Sequence, residues 1–113
     1  MSKRDELITK YATDLKEKFN LDPDMDLLTK VTVGAGPSIY NADSATVSSS
    51  DAKEIETVKN NFLKNKLGLS DSLDLDGAID FVMETYGKSN RNKYRVVVYY
   101  VLTKHFKKES VYK

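Results

Sequence analysis

One stretch constrains the fold more than any other: Arg95-Val96-Val97-Val98-Tyr99-Tyr100-Val101-Leu102-Thr103. Propensity alone makes a run so rich in β-branched and aromatic residues a strand. A strand needs partners, however, and a sheet needs several of them. Val31-Thr32-Val33 and Ala45-Thr46-Val47 are too short, and too closely flanked by Gly and Ser, to supply one. The helical reading fits better, because Tyr94, Val97, Val98, Val101, Leu102 and His105 fall on one helical face. Ser89-Asn90 offers a cap, and the spacing predicts a helix over 92–108. Apolar on more than one side, it belongs at the centre of the molecule.

Four further helices surround it. Leu7, Ile8, Tyr11, Ala12, Leu15 and Phe19 recur at helical spacing and predict a helix over 3–19, with Ser2 and Asp5 as capping groups. Asp22-Pro23 reads as a cap with proline at the first helical position, followed by Met25, Leu27, Leu28 and Val31. That second helix is expected to stop before Gly34-Ala35-Gly36-Pro37, a sharp turn that lacks the Gly-Lys-Ser/Thr ending of a P-loop. Residues 34–50 form a long irregular loop, pinned by Ile39, Tyr40 and Val47, with one helical turn at Pro37–Asn41. Ser50 or Asp51 opens a third helix with Ile55, Val58, Phe62 and Leu63 on its buried side. Gly68 ends it, with Leu67 and Leu69 closing over the turn. Asp74 or a nearby Ser starts a fourth, burying Leu75, Ala78, Ile79, Val82, Met83 and Tyr86 before Gly87 stops it. Residues 110–113 are a tail. The expected fold is all-α: one domain over 1–113, a compact bundle of about five helices around the valine-rich C-terminal one.

Composition removes several classes of chemistry. The 113 residues include no cysteine, which excludes disulfides, thiolate metal sites and cysteine nucleophiles. The single histidine, His105, leaves a Ser-His-Asp triad only one choice of base; on the apolar face it reads as a partly buried core residue. Asp71, Asp74, Asp76 and Asp80 lack the glycine turn and final glutamate of a calcium loop and read as helix-start charges. No cofactor is implied. The start of the chain turns polar at once, no apolar run reaches membrane-spanning length, and the expected location is cytoplasmic.

Charge is unevenly placed. Residues 1–87 hold 10 Lys/Arg against 16 Asp/Glu, a net of −6, whereas residues 88–113 hold 8 against 1, a net of +7. Acidic and basic faces can complement each other within one molecule or between two. The basic end also suggests a site. If Asn90 caps the last helix, Lys88, Ser89, Asn90, Arg91 and Lys93 surround free amides at a positive helix end, which suits an anion. A turn followed by a basic helix start, with Arg95, has the outline of a nucleic-acid reader. Against this, the helix becomes too apolar after Arg95 to lie in a groove, so nucleic acid is disfavoured.

Val96, Tyr99 and Tyr100 make a second apolar strip on the last helix. It either packs internally or meets a second copy or another protein.

Leu27-Leu28-Thr29-Lys30-Val31, Gly36-Pro37-Ser38-Ile39-Tyr40-Asn41, Thr57-Val58-Lys59-Asn60-Asn61-Phe62 and Tyr86 through Arg95 together resemble a family of short, uncharacterised bacterial proteins. That family is catalogued only as a domain of unknown function. The resemblance covers nearly the whole chain and implies a compact multi-helical fold, a bacterial source and no assigned site. The expected function is a non-catalytic interaction or accessory protein, with homodimerisation as one route. The alternative is an anion- or nucleic-acid-binding module at 88–95.

Overall fold

The first helix, α1 (Lys3–Phe19), forms where the apolar spacing places it and buries Ile8, Tyr11 and Leu15. The structure is a computed structural model and describes residues 3–48, 51–70, 74–87 and 93–112. The capping role of Ser2 lies outside these. Asn20 ends α1 in the left-handed conformation, φ 52°. The next amide, Leu21 N–H, reaches back to Leu15 O at 3.0 Å, so the last turn closes on itself.

Helix α2 (Met25–Ala35) departs from expectation at both ends. Its cap is Asp24 rather than Asp22, so Pro23 stands outside the helix. The Asp24 carboxylate accepts from the amides of Asp26 at 3.1 Å and Leu27 at 3.2 Å. Its own amide donates to the Tyr100 hydroxyl at 2.8 Å. At the other end Gly34 stays helical, and the break comes at Gly36, φ 67°. Gly34 has a packing reason: a Cβ there would stand 3.2 Å from Tyr112 Cε1.

Residues 36–48 are more regular than the sequence suggests. A 3₁₀ helix covers Gly36–Tyr40 and a single turn, α3, covers Ala42–Ala45. Ile39 and Val47 are buried and pin the segment, whereas Tyr40 is 47% exposed. Among the described residues there is no strand, only one isolated antiparallel bridge between Thr46 and Tyr94. Beside it Val47 N–H donates to Lys93 O at 2.8 Å.

The third predicted helix starts as expected, with the Asp51 carboxylate accepting from Lys53 N–H at 2.9 Å. It begins as α4 (Ala52–Thr57) and continues as a π-helix over Val58–Lys66. The spacing of the buried residues explains the change. Val58, Phe62, Leu63 and Leu67 are all buried. At α-helical geometry Val58 and Leu67 would stand about 180° apart. Turns closed by i→i+5 bonds are wider and gather all four on one side. Leu67 N–H donates to Phe62 O at 2.9 Å, the last bond of this kind. Gly68, φ 70°, then reverses the chain, and Leu69 N–H bonds Leu63 O at 3.0 Å.

Helix α5 (Leu75–Tyr86) is capped by Asp74, which accepts from Gly77 N–H at 2.9 Å. Its six predicted apolar positions are all buried, and Gly87 ends it at φ 102°. Helix α6 (Arg95–His105) is shorter than the expected 92–108, and its cap position is Tyr94, which makes no side-chain cap bond. Asn90, the expected cap, lies outside the described residues. The helix buries Val96, Val97, Val98, Tyr100, Val101, Leu102 and Thr103. It packs against α1, α2, α3 and α5, and burial on every side overrides the strand propensity of the valines. The closing 3₁₀ turn, Glu109–Tyr112, docks by burying Tyr112. Among the described residues the fold is all-α: five principal helices with α6 at the centre.

Candidate functional site

The basic turn is the first predicted site to place. Lys88, Ser89, Asn90 and Arg91 lie outside the described residues. Lys93 does not face solvent as an anion site requires. It is 3% exposed, and burial lowers the pKa of its ammonium. Arg95 also turns inward. Its Nε donates to Ser44 O at 2.7 Å, one terminal nitrogen to the Tyr99 hydroxyl at 3.1 Å, and the other to Glu54 Oε2 at 3.0 Å. Burial alone would lower its pKa, but the bonds to Tyr99 and Glu54 outweigh that and raise it. Arg95 thus ties the 36–48 segment and α4 to α6, leaving its guanidinium engaged within the fold.

The tyrosine strip is likewise internal. Val96 and Tyr100 are fully buried. Tyr99 is half-buried and stacks on Phe62, ring centroids 3.8 Å apart and 6° from parallel. These three residues present no continuous surface: Tyr100 is bonded to the start of α2, Tyr99 is covered by Phe62 of the π-helical turn, and Val96 is buried. His105, read as a core residue, is exposed. It occupies the last position of α6, where the helix emerges from the bundle. Its ring lies 6.1 Å from Phe81 and 4.9 Å from Phe106. Asp74 and Asp76 act as helix-start charges, the latter pairing with Lys59 at 3.1 Å. Asp71 lies outside the described residues.

Two other features carry chemistry. Tyr86 donates its hydroxyl proton to Asp14 Oδ2 and accepts from Tyr94 N–H at 3.2 Å. Burial, reinforced by the bond to Asp14, pushes its phenol upward. Tyr11 stands edge-on to Tyr94 at 5.2 Å, and its buried hydroxyl has no hydrogen-bond partner among the described residues. Burial first, then Tyr94 and Tyr40, push that phenol to about 12.

The second feature is a cavity of about 180 Å³ lined by Gly34, Ala35, Asn61, Phe62, Lys66, Tyr99 and Tyr112. It lies between the end of α2, the π-helical turn, α6 and the last 3₁₀ turn. The wide turn creates it: Asn61 and Lys66 are five residues apart, on divergent faces of an α-helix but stacked in a π-helix. The Lys66 ammonium sits over the Tyr112 ring, 4.9 Å from its centroid. Burial and the neighbouring Tyr99 push the Tyr112 phenol to about 12, so it is a neutral donor at ordinary pH. The sequence held a signal for this site, since the buried set at 58, 62, 63 and 67 fits i→i+5 turns.

Among the described residues no group of three or more His, Asp or Glu could hold a metal ion, and no helix is long and apolar enough to cross a membrane. No curated protein matches the chain. A family model described as a protein of unknown function (DUF2853) does match, over residues 10–110, and the chain belongs to that family.

Proposed function

We propose that the chain is a non-catalytic interaction protein that pairs with a second copy of itself through an aromatic seam between α5 and α6. The observation that carries this reading is Phe81, 55% exposed in the middle of a helix whose other face is core. Together with His105 and Phe106 it forms an aromatic cluster at the surface. Scattered exposed apolar residues need no explanation, but a cluster of rings marks a contact site.

Charge favours a second copy as the occupant. Helix α5 carries Asp76, which pairs with Lys59, and Asp80 and Glu84, with no basic residue, whereas the end of α6 and the turn after it carry Lys104, His105, Lys107 and Lys108 against the single Glu109, which pairs with Lys104. A two-fold contact is self-complementary. It sets the acidic helix of one copy against the basic end of the other, with the rings between. The imbalance along the sequence then works between molecules.

Sedimentation equilibrium tests the reading. The chain should show a dimer whose dissociation constant rises with added salt, since exposed charges are screened. Phe81→Ser should weaken association at least about tenfold while leaving the helical circular dichroism unchanged. A strict monomer at the highest soluble concentration refutes the pairing. So does a dimer indifferent to Phe81→Ser.

A further inference from the structure

We propose that the cavity between the end of α2 and the π-helical turn binds a small single-ring aromatic carboxylate. Size comes first. An apolar cavity of about 150 Å³ suffices for benzene, so the present space of about 180 Å³ takes one ring and a small substituent. The walls supply both halves of such a ligand. Ala35 and the stacked Phe62 and Tyr99 rings offer apolar surface, and aromatic groups favour stacked or edge-on contact with another ring.

Every polar side chain of the lining can donate. Lys66 contributes an ammonium, Asn61 an amide, and Tyr112 and Tyr99 hydroxyls. No Asp or Glu is among the lining residues. The Tyr99 oxygen already accepts from Arg95, so its own proton is directed elsewhere. The Tyr112 ring holds the Lys66 ammonium at the cavity rather than leaving it to swing in solvent. No carboxylate among the described residues pairs with it.

Two helix ends oppose this, that of α2 and that of the π-helical segment at Lys66, because helix C-termini carry partial negative charge. At the π-helical end Phe62 O accepts from Leu67 N–H and Leu63 O from Leu69 N–H, and two carbonyls at the end of α2 are also satisfied. Val33 O accepts from Gly36 N–H, and Ala35 O accepts from the Ser38 hydroxyl at 2.8 Å. A carboxylate directed at Lys66 and Asn61 gains charge-assisted hydrogen bonds, stronger than those a neutral group would make.

Titration followed by NMR, with benzoate, benzamide and benzylamine as probes, tests the proposal. Benzoate should shift the amide signals of Gly34, Phe62, Lys66 and Tyr99, with millimolar or tighter affinity. Benzamide should bind about tenfold more weakly, and benzylamine should not bind. Lys66→Gln, a change at an exposed position, should weaken benzoate about tenfold. Ala35→Leu, which fills the cavity, should abolish binding while Lys66 remains. The proposal is overturned if benzoate fails to shift these signals, if benzamide binds equally, or if either variant binds benzoate like the parent protein.

Discussion

Replacing Tyr100 by alanine is expected to lower the unfolding free energy by about 4 kcal/mol, a large share of the stability of a domain this size. The ring is fully buried on α6, and its hydroxyl accepts the Asp24 amide at the start of α2 at 2.8 Å. Alanine removes the packing and leaves that amide without its partner. Tyr100→Phe keeps the ring and should cost only about 1 kcal/mol. Urea denaturation of the three proteins separates the two contributions. The oligomeric state should not change, whereas an interface tyrosine would alter mass and spare stability. Tyr11 should behave in the opposite way. Its hydroxyl is buried without a partner among the described residues, so Tyr11→Phe should stabilise, by up to about 1 kcal/mol.

Arg95→Met should destabilise by about 3 kcal/mol. The side chain makes three hydrogen bonds, to Ser44, Tyr99 and Glu54, and is only 12% exposed, against 26% for Glu54. Removing the cation leaves Glu54 half-buried without its charge partner, which is usually worse than lacking the pair altogether. Glu54→Gln should therefore cost less, about 1 kcal/mol, because an amide oxygen still accepts from the guanidinium. Adding Glu54→Leu to Arg95→Met should recover part of the loss, and a double-mutant cycle by chemical denaturation measures the coupling. A loss below about 1 kcal/mol for Arg95→Met would mean that Arg95 does not tie the 36–48 segment to the bundle.

The helices were legible where periodicity and punctuation agree. In α5 the apolar stripe, the Asp74 cap and Gly87 all point to one answer, and the structure repeats it. At α2 two aspartates compete for one cap. Sequence favoured Asp22 because proline follows it, but Asp24 wins through Tyr100, a partner 76 positions away. Gly34 misleads for a similar reason, since the close approach it permits is to Tyr112. Both contacts are tertiary, and no local window contains them.

The candidate sites were less legible. A count of charges marks Lys93 and Arg95 as basic but is blind to direction, and both turn into the protein. The tyrosine strip was identified as apolar, and its cover, Phe62, comes from a π-helical turn whose signature is an unusual spacing of buried residues. Phe81 is not legible in the sequence, because a single aromatic on the polar side of a stripe carries no periodic signal. It gains meaning only beside His105 and Phe106.

Each proposed contact depends on where α6 lies. That helix presents Tyr99 to the cavity, carries His105 to the seam and draws Arg95 inward. Native-state hydrogen exchange, resolved by residue, tests this placement most directly. The amides of Val98 through Thr103 should be among the slowest in the molecule, opening only with global unfolding, while those of the Gly36–Tyr40 turn exchange sooner. Rapid exchange along Val98–Thr103, with protection concentrated elsewhere, would contradict a central α6.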